Sequence, residues 1–394
     1  MDIVIISEFC EDFSDTDNDR FLYIAKLLAN NKENEVEIVT SNFQHTTKKH
    51  RNKPVIDWPL KITFIEEPGY SKNVCIKRVF SHHKWGKNID IYIRNRKKPD
   101  VVYCAVPSLT GPKLVAEYCE QEKIRFIIDV QDLWPEAFQM VVNIPVISDV
   151  VFKPFVRMAD NIYKRADVIC AVSDTYSKRA AYAKNTEEYN TVFLGTELDV
   201  FDSFARYKPI IKKRSDNIWI GYCGTLGSSY DITCVIDALS ILQDNRIEFI
   251  VMGDGPRMEE FKHYSRGKGI NIKFVGRLRY DKMCSLLSSC DLVVNPIRHL
   301  AAQSIINKHA DYAAAGKPIL NTQENEEYRN LVEQYNMGLN CNNDNPEDLA
   351  KKIEWLIENK EDRLRMGDNA RRCAEEKFDR KVTYIRLKEV IEDT

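Results

Sequence analysis

The stretch Ile218-Trp-Ile-Gly-Tyr-Cys-Gly-Thr-Leu-Gly227 joins a short apolar run to a loop rich in glycine. The run has the length and composition of a buried strand, and Gly224 and Gly227 stand where that strand would end. Glycines let the backbone approach a ligand closely, and the N-terminus of a following helix attracts phosphate. Because the spacing differs from the dinucleotide-binding fingerprint, the stretch alone fits a tight turn as well as a phosphate contact.

The same order of strand and helix extends in both directions from this stretch. Short runs of Val and Ile alternate with amphipathic helical stretches, and most runs are continuous, as in strands buried on both faces of a parallel sheet. The alternation predicts an α/β fold with doubly wound, Rossmann-like domains. It pauses in a polar segment, which we interpret as a linker. The predicted parts are an N-terminal domain over residues 1–198, a linker over 199–217, a C-terminal domain over 218–376 and a last helix within 377–394.

Composition and charge limit the classes of function. The chain has 394 residues, 44% of them hydrophobic, and its 57 Lys+Arg nearly balance its 59 Asp+Glu, so no global basic excess indicates nucleic acid as a partner. The first residues lack the features of a signal peptide, and the longest apolar stretch, 138–152, is too short and too polar to span a bilayer. The eleven cysteines form no Cys-x-x-Cys pair, which favours reduced thiols and a cytoplasmic location.

Motifs for other common chemistries are missing from the sequence. It contains no Gly-x-Ser-x-Gly, no Walker sequence, no His-Glu-x-x-His and no clustered His and Cys ligands. An Asp-x-Asp pair, Asp15 and Asp17, lies far from the glycine-rich loop. No motif of the sequence therefore points to a metal ion or to another cofactor.

Two further loops in the second half follow predicted strands. Gly253-Asp254-Gly255 leaves room for a flat group such as a base or ribose, although an ordinary strand-to-helix turn explains it equally well. Asn307, Lys308 and Asp311 lie at the start of a predicted helix, where a cation suits a diphosphate and a carboxylate suits ribose hydroxyls; the alternative is a solvated helix end. Ligands of open α/β sheets bind at the carboxyl ends of the strands, so three such loops in one domain predict a nucleotide site.

The first half offers candidates for binding a second substrate. After a predicted strand, the segment Asp132-Leu-Trp134-Pro-Glu136 places two acids and an indole in a loop. The acids would hold sugar hydroxyls or act as a base, and the indole would stack on a sugar. The alternative is a turn with the tryptophan in the core. Glu8 follows the first strand, where a substrate loop would also lie.

Residues 45–98 carry a local excess of positive charge. Fourteen Lys and Arg face four acids there, with Phe80, Trp85 and Tyr92 between them. Such a surface suits a diphosphate-bearing acceptor, or contact with an anionic membrane, which would place the chain on the inner face of the cell membrane. A solvated loop region is the alternative.

With these motifs in order, the chain resembles the retaining glycosyltransferases of family 4, which have the GT-B fold. It looks closest to their bacterial branch for capsule and O-antigen polysaccharides. The resemblance covers essentially the whole chain. It rests on segments whose order and spacing are specific, namely Asp132–Glu136, Ala171–Ser173, Gly224–Gly227, Gly253–Pro256, Val275–Arg277 and Asn307–Pro318.

The resemblance implies two Rossmann-like domains facing a central cleft. The second would bind a nucleotide-sugar, in our interpretation a UDP-sugar, and the first would bind the acceptor. The resemblance also implies that the last helix, within 377–394, crosses back onto the first domain. The acceptor would be a glycan or a polyprenyl-diphosphate-linked glycan. The implied donor contacts are Gly224, Thr225, Leu226, Gly227, Gly253, Asp254, Gly255, Arg277, Asn307, Lys308 and Asp311. The implied acceptor contacts are Glu8, Asp132, Trp134 and Glu136.

The resemblance also implies catalytic roles for Lys308, Asp132 and Gln303. Lys308 would neutralise the departing diphosphate in place of a metal ion, and Asp132 would orient the acceptor. The family's paired glutamates align with Gln303 and Asp311, and Gln303 keeps the hydrogen bonding of the first glutamate but not its charge. The Arg and Lys that many members carry after the glycine-rich loop are absent here, which leaves Lys308 and Arg277 to supply the charge.

Two other functions stay open. A sugar-nucleotide 2-epimerase shares the architecture but needs paired acids and histidines around the cleft, which the sequence does not clearly place. A non-enzymatic partner of another transferase would explain Gln303 and the missing loop cations. The function that the sequence favours is transfer of a sugar, with retention, in surface polysaccharide biosynthesis.

Overall fold

A computed structural model describes residues 1–13, 18–51, 58–73, 75–139, 145–301 and 303–393. The pair Asp15 and Asp17, and part of the apolar stretch 138–152, lie outside the described residues. The chain divides into two compact units. Unit 1 comprises Met1–Phe193 with Tyr384–Thr394, and unit 2 comprises Leu194–Thr383.

Unit 1 is built on a parallel sheet. Its strands are β1 (Asp2–Ser7), β2 (Glu35–Ser41), β3 (Phe43–Gln44), β4 (Lys49–His50), β5 (Lys61–Ile65), β6 (Val101–Val106), β7 (Arg125–Val130), β8 (Val168–Ala171) and β9 (Asn190–Thr191). Its first helices are α1 (Arg20–Ala29), α2 (Ile76–Asn95), α3 (Thr110–Glu122), α4 (Glu136–Gln139), α5 (Pro145–Arg165) and α6 (Asp174–Lys184). Over the described residues the main sheet has the order β5-β2-β1-β6-β7-β8-β9, and β3 and β4 form a separate antiparallel pair.

Unit 2 repeats this architecture. Its strands are β10 (Ile218–Cys223), β11 (Ile247–Met252), β12 (Asn271–Gly276), β13 (Leu292–Asn295), β14 (Ile319–Asn321) and β15 (Gly338–Asn340), in the parallel order β12-β11-β10-β13-β14-β15. Its helices are α7 (Leu198–Ala205), α8 (Ile232–Leu242), α9 (Met258–Ser265), α10 (Tyr280–Ser288), α11 (Asn307–Ala314), α12 (Glu326–Tyr335), α13 (Pro346–Glu358), α14 (Lys360–Cys373) and α15 (Arg380–Thr383), with a π-helical turn at Ala374–Phe378. The last helix, α16 (Ile385–Glu392), belongs to unit 1.

The strands have the burial that their sequence predicts. Every residue of β1 and of β6 is buried, because helices cover the sheet on both faces. Side chains cap the helices that follow: Asp19 accepts a hydrogen bond from the N–H of Leu22 (2.8 Å), and Asp231 accepts one from the N–H of Cys234 (3.0 Å). The prediction of an α/β protein with two Rossmann-like domains is confirmed. No described helix combines the length and the apolar composition that crossing a bilayer requires.

A buried ion pair joins the C-terminal segment to unit 1. The guanidinium of Arg20 donates to the carboxylate of Asp129 at the end of β7 (2.9 Å) and to the hydroxyl of Tyr384 (2.6 Å). Burying one charge without the other would cost several kcal/mol, about 3–5, so this pair fixes α1, β7 and the start of the C-terminal segment together.

The unit boundaries differ from the sequence-based ones. The first part of the segment 199–217, which we interpreted as a linker, is helical because it belongs to α7, and unit 2 begins before the segment, at Leu194. Leu198 and Phe201 of α7 are buried, at 3% and 1% exposure, and α7 packs against α10. The segment was interpreted as a linker because it is mostly polar, and this composition gave no indication that α7 packs through apolar side chains. The return to unit 1 begins at Tyr384 rather than at residue 377.

Candidate functional site

In unit 2, the loops after β10 and β11 pack against each other at the carboxyl ends of these strands. The N–H of Gly224 donates to the carbonyl of Met252 (3.0 Å), and the N–H of Leu226 donates to the carbonyl of Asp254 (2.9 Å). A Cβ atom on Gly253 would lie 1.8 Å from the carbonyl oxygen of Gly224. Glycine at 253 is therefore required by the packing of one loop on the other, and its contact with a donor stays a prediction.

The remaining residues of these loops differ in exposure. Leu226 is fully buried and its side chain belongs to the core of unit 2. A Cβ atom on Gly255 would lie 2.5 Å from the carbonyl oxygen of Leu226, so this glycine also serves loop packing. Among the predicted donor contacts, Thr225, Asp254, Arg277 and Asn307 are exposed, and the three glycines Gly224, Gly227 and Gly255 are half-buried.

Lys308, the second residue of α11, points into the protein beside the glycine-rich loop. Only 7% of it is exposed, and its Nζ lies 4.2 Å from the ring centroid of Tyr222 and 3.9 Å from that of Tyr230. Within the described chain, this Nζ has no hydrogen-bond partner. A Cβ atom on Gly224 would lie 2.9 Å from it. Burial lowers the pKa of Lys308 to about 7, because the charged form has lost its water without gaining a counter-ion.

Asp311 lies one turn further along α11 and is also buried, at 7% exposure. Its carboxylate accepts a hydrogen bond from the hydroxyl of Tyr280 (2.8 Å), and that hydroxyl lies 2.6 Å from the hydroxyl of Thr196. Burial raises the pKa of Asp311 to about 7. The carboxylate thus already has a protein partner, and its contact with a ribose stays a prediction.

The segment before α11 is fixed by a buried amide. The side-chain nitrogen of Gln323 donates to the backbone carbonyls of Gln303 (2.6 Å) and Ser304 (2.7 Å). The side-chain oxygen of Gln303 is buried, and no described residue gives it a hydrogen bond. An acceptor atom in this state can receive a hydrogen bond from a ligand hydroxyl.

In unit 1, Glu8 follows β1 and is 1% exposed. It accepts hydrogen bonds from the Nδ1–H of His82 and from the hydroxyl of Ser108. The other ring nitrogen of His82, Nε2, accepts from the guanidinium of Arg78 (3.0 Å), which is consistent with a proton on Nδ1. Glu8 therefore positions α2, and direct contact with an acceptor stays a prediction.

Aromatic rings from several strand ends and from α2 gather beside Glu8. The ring centroid of His82 lies 5.7 Å from Trp134, 5.6 Å from Phe9 and 5.4 Å from Tyr70, and that of Tyr70 lies 5.7 Å from His45. We call Phe9, His45, Tyr70, His82 and Trp134 the aromatic cluster. Trp134 is half-buried, as a ring that stacks on a ligand would be.

The acids that flank Trp134 are engaged within unit 1. Asp132 accepts hydrogen bonds from the N–H of Leu133 (2.9 Å) and from the indole N–H of Trp134 (3.2 Å), and burial raises the pKa of its carboxyl group. Glu136 forms an ion pair with Arg179 (2.7 Å). Asp132 therefore shapes the loop that carries Trp134, whereas Glu136 joins α4 to α6.

One group of side chains has ligand types that suit a metal ion. Glu8, Glu67 and His82 place candidate ligand atoms within 4.8 Å of one another. Glu67 also accepts from the hydroxyls of Ser41 (2.5 Å) and Ser81 (2.7 Å), and burial together with the charge of Glu8 raises its pKa to about 7. These hydrogen bonds satisfy the carboxylates without an ion. The expectation that no metal is needed stays a prediction.

The structure brings the predicted loops of unit 2 together and adds residues that sequence analysis missed. Tyr222 and Tyr230 enclose Lys308, although we singled out neither as a site residue. In the basic segment 45–98, Trp85 is buried at 1% exposure against Gly111 of α3, and Tyr92 is half-buried and donates to Glu37, so neither is the surface aromatic that we expected. Tyr222 lies within the glycine-rich stretch and Tyr230 follows it closely, and this proximity in the sequence is the signal that would have identified both as site residues.

Comparison with known proteins connects the site of unit 2 with a family. Residues 203–373 match the family described as glycosyl transferases group 1. The uncharacterized glycosyltransferase MJ1069 of Methanocaldococcus jannaschii is 24% identical over 238 residues, which cover 59% of this chain and 59% of that protein. The probable glycosyltransferase WbjE of Pseudomonas aeruginosa is 21% identical over 245 residues, which cover 59% of this chain and 60% of that protein. The chain thus spans less than two thirds of the length of these relatives.

A solved structure resembles the chain over its full length. The crystal structure of HepE from Anabaena, in complex with UDP and glucose, covers 100% of both chains with a TM-score of 0.72 at 15% identity. At this identity the likeness shows the fold. The chain has the GT-B fold, and its residues 203–373 match the glycosyl transferases group 1 family.

Proposed function

We propose that the chain is a glycosyltransferase that moves a sugar from a nucleotide diphosphate, UDP in our proposal, to an acceptor bound by unit 1. The observation that carries this proposal is the ammonium group of Lys308. It is buried without a hydrogen-bond partner in the described chain, inside the matched domain and in the first turn of α11. Complexes of HepE with UDP and with UDP-glucose support the choice of UDP.

A diphosphate beside Lys308 would supply the partner that this cation lacks. Negative charge builds on the diphosphate as the bond to the sugar breaks, and the fixed ammonium stabilises that charge strongly because the surroundings are dry. The N–H groups at the start of α11 act in the same direction. This arrangement supports our proposal that catalysis needs no metal ion. Gln303, whose side-chain oxygen is buried, would hold a sugar hydroxyl, and transfer with retention is part of the same proposal.

The acceptor that we propose is a glycan or a polyprenyl-diphosphate-linked glycan of a surface polysaccharide. Trp134 and Asp132 would hold it in unit 1, at the carboxyl ends of β1 and β7. We further propose that the chain works in the cytoplasm at the inner face of the membrane. The outward face of α2 supports this, because Ile76, Val79 and Phe80 are 88%, 55% and 62% exposed.

A sugar-nucleotide 2-epimerase is a second candidate because of one observation. Such an enzyme needs acids paired with histidine, and Glu8, Glu67 and His82 lie together in unit 1. Release of UDP only when an acceptor is present would favour the transferase, whereas conversion of the nucleotide-sugar into its 2-epimer without net release of UDP would favour the epimerase.

Calorimetric titration with UDP, GDP, ADP and TDP tests the donor site. We expect one nucleotide to bind saturably, and Lys308→Ala to weaken it at least tenfold, because the variant loses a charge-assisted contact worth about 1.5–3 kcal/mol. Lys262→Ala is the matched control, since Lys262 lies in unit 2 but is paired with Glu259 (2.8 Å) on α9. Absence of binding to all four nucleotides would overturn the proposal and favour a non-enzymatic partner subunit.

A further inference from the structure

Arg78 and Lys48 place two cations on the aromatic cluster of unit 1. The guanidinium carbon of Arg78 lies 4.7 Å from the ring centroid of Trp134 and 5.5 Å from that of Tyr70. The Nζ of Lys48 lies 4.8 Å from the same Tyr70 centroid. His45 connects them, since its Nδ1 lies 2.5 Å from the Tyr70 hydroxyl and 3.3 Å from the Nζ of Lys48. Both cations therefore lie around one phenol ring.

The guanidinium of Arg78 is held in a fixed orientation. Its Nε donates to Nε2 of His82 (3.0 Å), and its Nη1 donates to the carbonyl of Asn73 (2.7 Å). His82 is itself anchored by the buried carboxylate of Glu8. A fork that is oriented in advance loses little entropy when it binds a planar or tetrahedral anion.

The two cations act on each other. Burial and the charge of Arg78 lower the pKa of Lys48 to about 8, and the same two causes lower the pKa of His45 to about 3. Glu67 offsets these effects at Lys48 only in part, so an anion placed between the two cations would be stabilised by both of them. The indole of Trp134 beside these cations offers an apolar face against which the apolar face of a sugar can pack.

We propose that the aromatic cluster is a subsite for an anionic saccharide, whose phosphate or carboxylate group binds Arg78 and Lys48 while its sugar ring lies against Trp134. The proposal rests on the proposed function in taking this saccharide as the acceptor. It makes the acceptor's negative charge a specificity determinant of unit 1. The anion site itself can be tested without any nucleotide.

The test is calorimetric titration of the full chain at low ionic strength with glucose 1-phosphate, glucuronate and glucose. We expect at least one charged sugar to bind at least tenfold more tightly than glucose, and Arg78→Gln and Lys48→Gln each to reduce that binding at least tenfold. Binding of the phosphate alone would identify a phosphoryl acceptor, and binding of glucuronate alone would identify a uronic acid. Lys123→Gln is the charge-matched control, because Lys123 is exposed and lies just before β7, at the amino end of a strand whose carboxyl end leads to Trp134.

Three results would overturn the proposal. The first is equal binding of charged and neutral sugars, and the second is an equal loss of charged-sugar binding in Lys123→Gln and Arg78→Gln. The third is loss of glucose 1-phosphate binding in Lys308→Ala, which would place the phosphate site in unit 2. Because Lys48 is near the surface, Lys48→Gln remains informative even if Arg78→Gln lowers the melting temperature. UDP binding without binding of either charged sugar would overturn this inference alone, whereas binding of a charged sugar without UDP binding would overturn the proposed donor site alone.

Discussion

The two units build their candidate sites from different materials. In unit 2, backbone loops after β10 and β11 meet through N–H and carbonyl groups, and the ammonium group of Lys308 is buried beside them. In unit 1, the site consists of side chains: the aromatic cluster, with Arg78 and Lys48 on it. Both lie at the carboxyl ends of parallel strands, where open α/β sheets bind ligands.

This difference explains why the site of unit 2 is easier to predict from the sequence than the site of unit 1. A backbone-built site requires glycine wherever a Cβ would collide, so it leaves a motif of fixed spacing. Phe9, Tyr70 and Trp134 come from positions far apart in the chain, and no local pattern marks that their rings meet. A site of that kind becomes visible only when the strand order is known.

The largest effect that we expect comes from Gly253→Ala. Its Cβ would lie 1.8 Å from a backbone oxygen that cannot move aside cheaply, so we expect the free energy of unfolding to fall by about 2–3 kcal/mol and nucleotide binding to be lost. Gly227→Ala is the control, since its Cβ would have its nearest neighbour at an ordinary 3.7 Å. Urea unfolding measures both variants, and equal losses would show that the loop contact does not distinguish the two glycines.

The cation of unit 2 should respond to pH in two opposite ways. The pKa of Lys308 is about 7 in the folded chain, against an ordinary 10.5, so above pH 7 the unfolded chain holds a proton that the folded chain has lost. Stability therefore rises as pH increases, and the contribution of Lys308 between pH 7 and 8.5 is about 1–2 kcal/mol. Nucleotide affinity should fall over the same range, because the diphosphate needs the charged form.

Lys308→Met isolates this contribution. Other groups titrate in the same range, among them Lys48, so the quantity to measure is the difference in unfolding free energy between wild type and variant at pH 7 and at pH 8.5. A difference that stays constant across this range would contradict the low pKa of Lys308. The comparison with Lys48→Gln then shows how much of the pH response belongs to unit 1.

The architecture and part of the candidate site of unit 2 could be predicted from the sequence, and particular residues show why. Continuous apolar runs such as β1 and β10 indicate strands that are buried on both faces of a sheet. The glycines after β10 indicate that another part of the backbone or a ligand approaches this loop closely. The packing of α7 was missed because the apolar Phe201 stands in a segment that is otherwise rich in charged residues, and Leu198 directly precedes that segment. The orientation of Lys308 into a cage of tyrosines, and the burial of Trp85, depend on contacts between elements that periodicity does not describe.

The smallest effect that we expect concerns membrane binding by the outward face of α2, which would bring unit 1 close to a lipid-linked acceptor. Arg78 and His82 of α2 contribute to the anionic subsite and the aromatic cluster, while Ile76 and Phe80 of the same helix are exposed. Residues 71–89 contain no acid, so anionic lipid would attract this segment as its apolar side chains enter the interface.

We expect Ile76→Glu with Phe80→Glu to reduce cosedimentation with anionic vesicles about fivefold, which corresponds to about 1 kcal/mol. Tyr182→Glu is the control, since Tyr182 is 86% exposed on α6. If both variants lose the same amount, or neither loses any, unit 1 does not dock through α2, and a lipid-linked acceptor would have to reach Trp134 without that help.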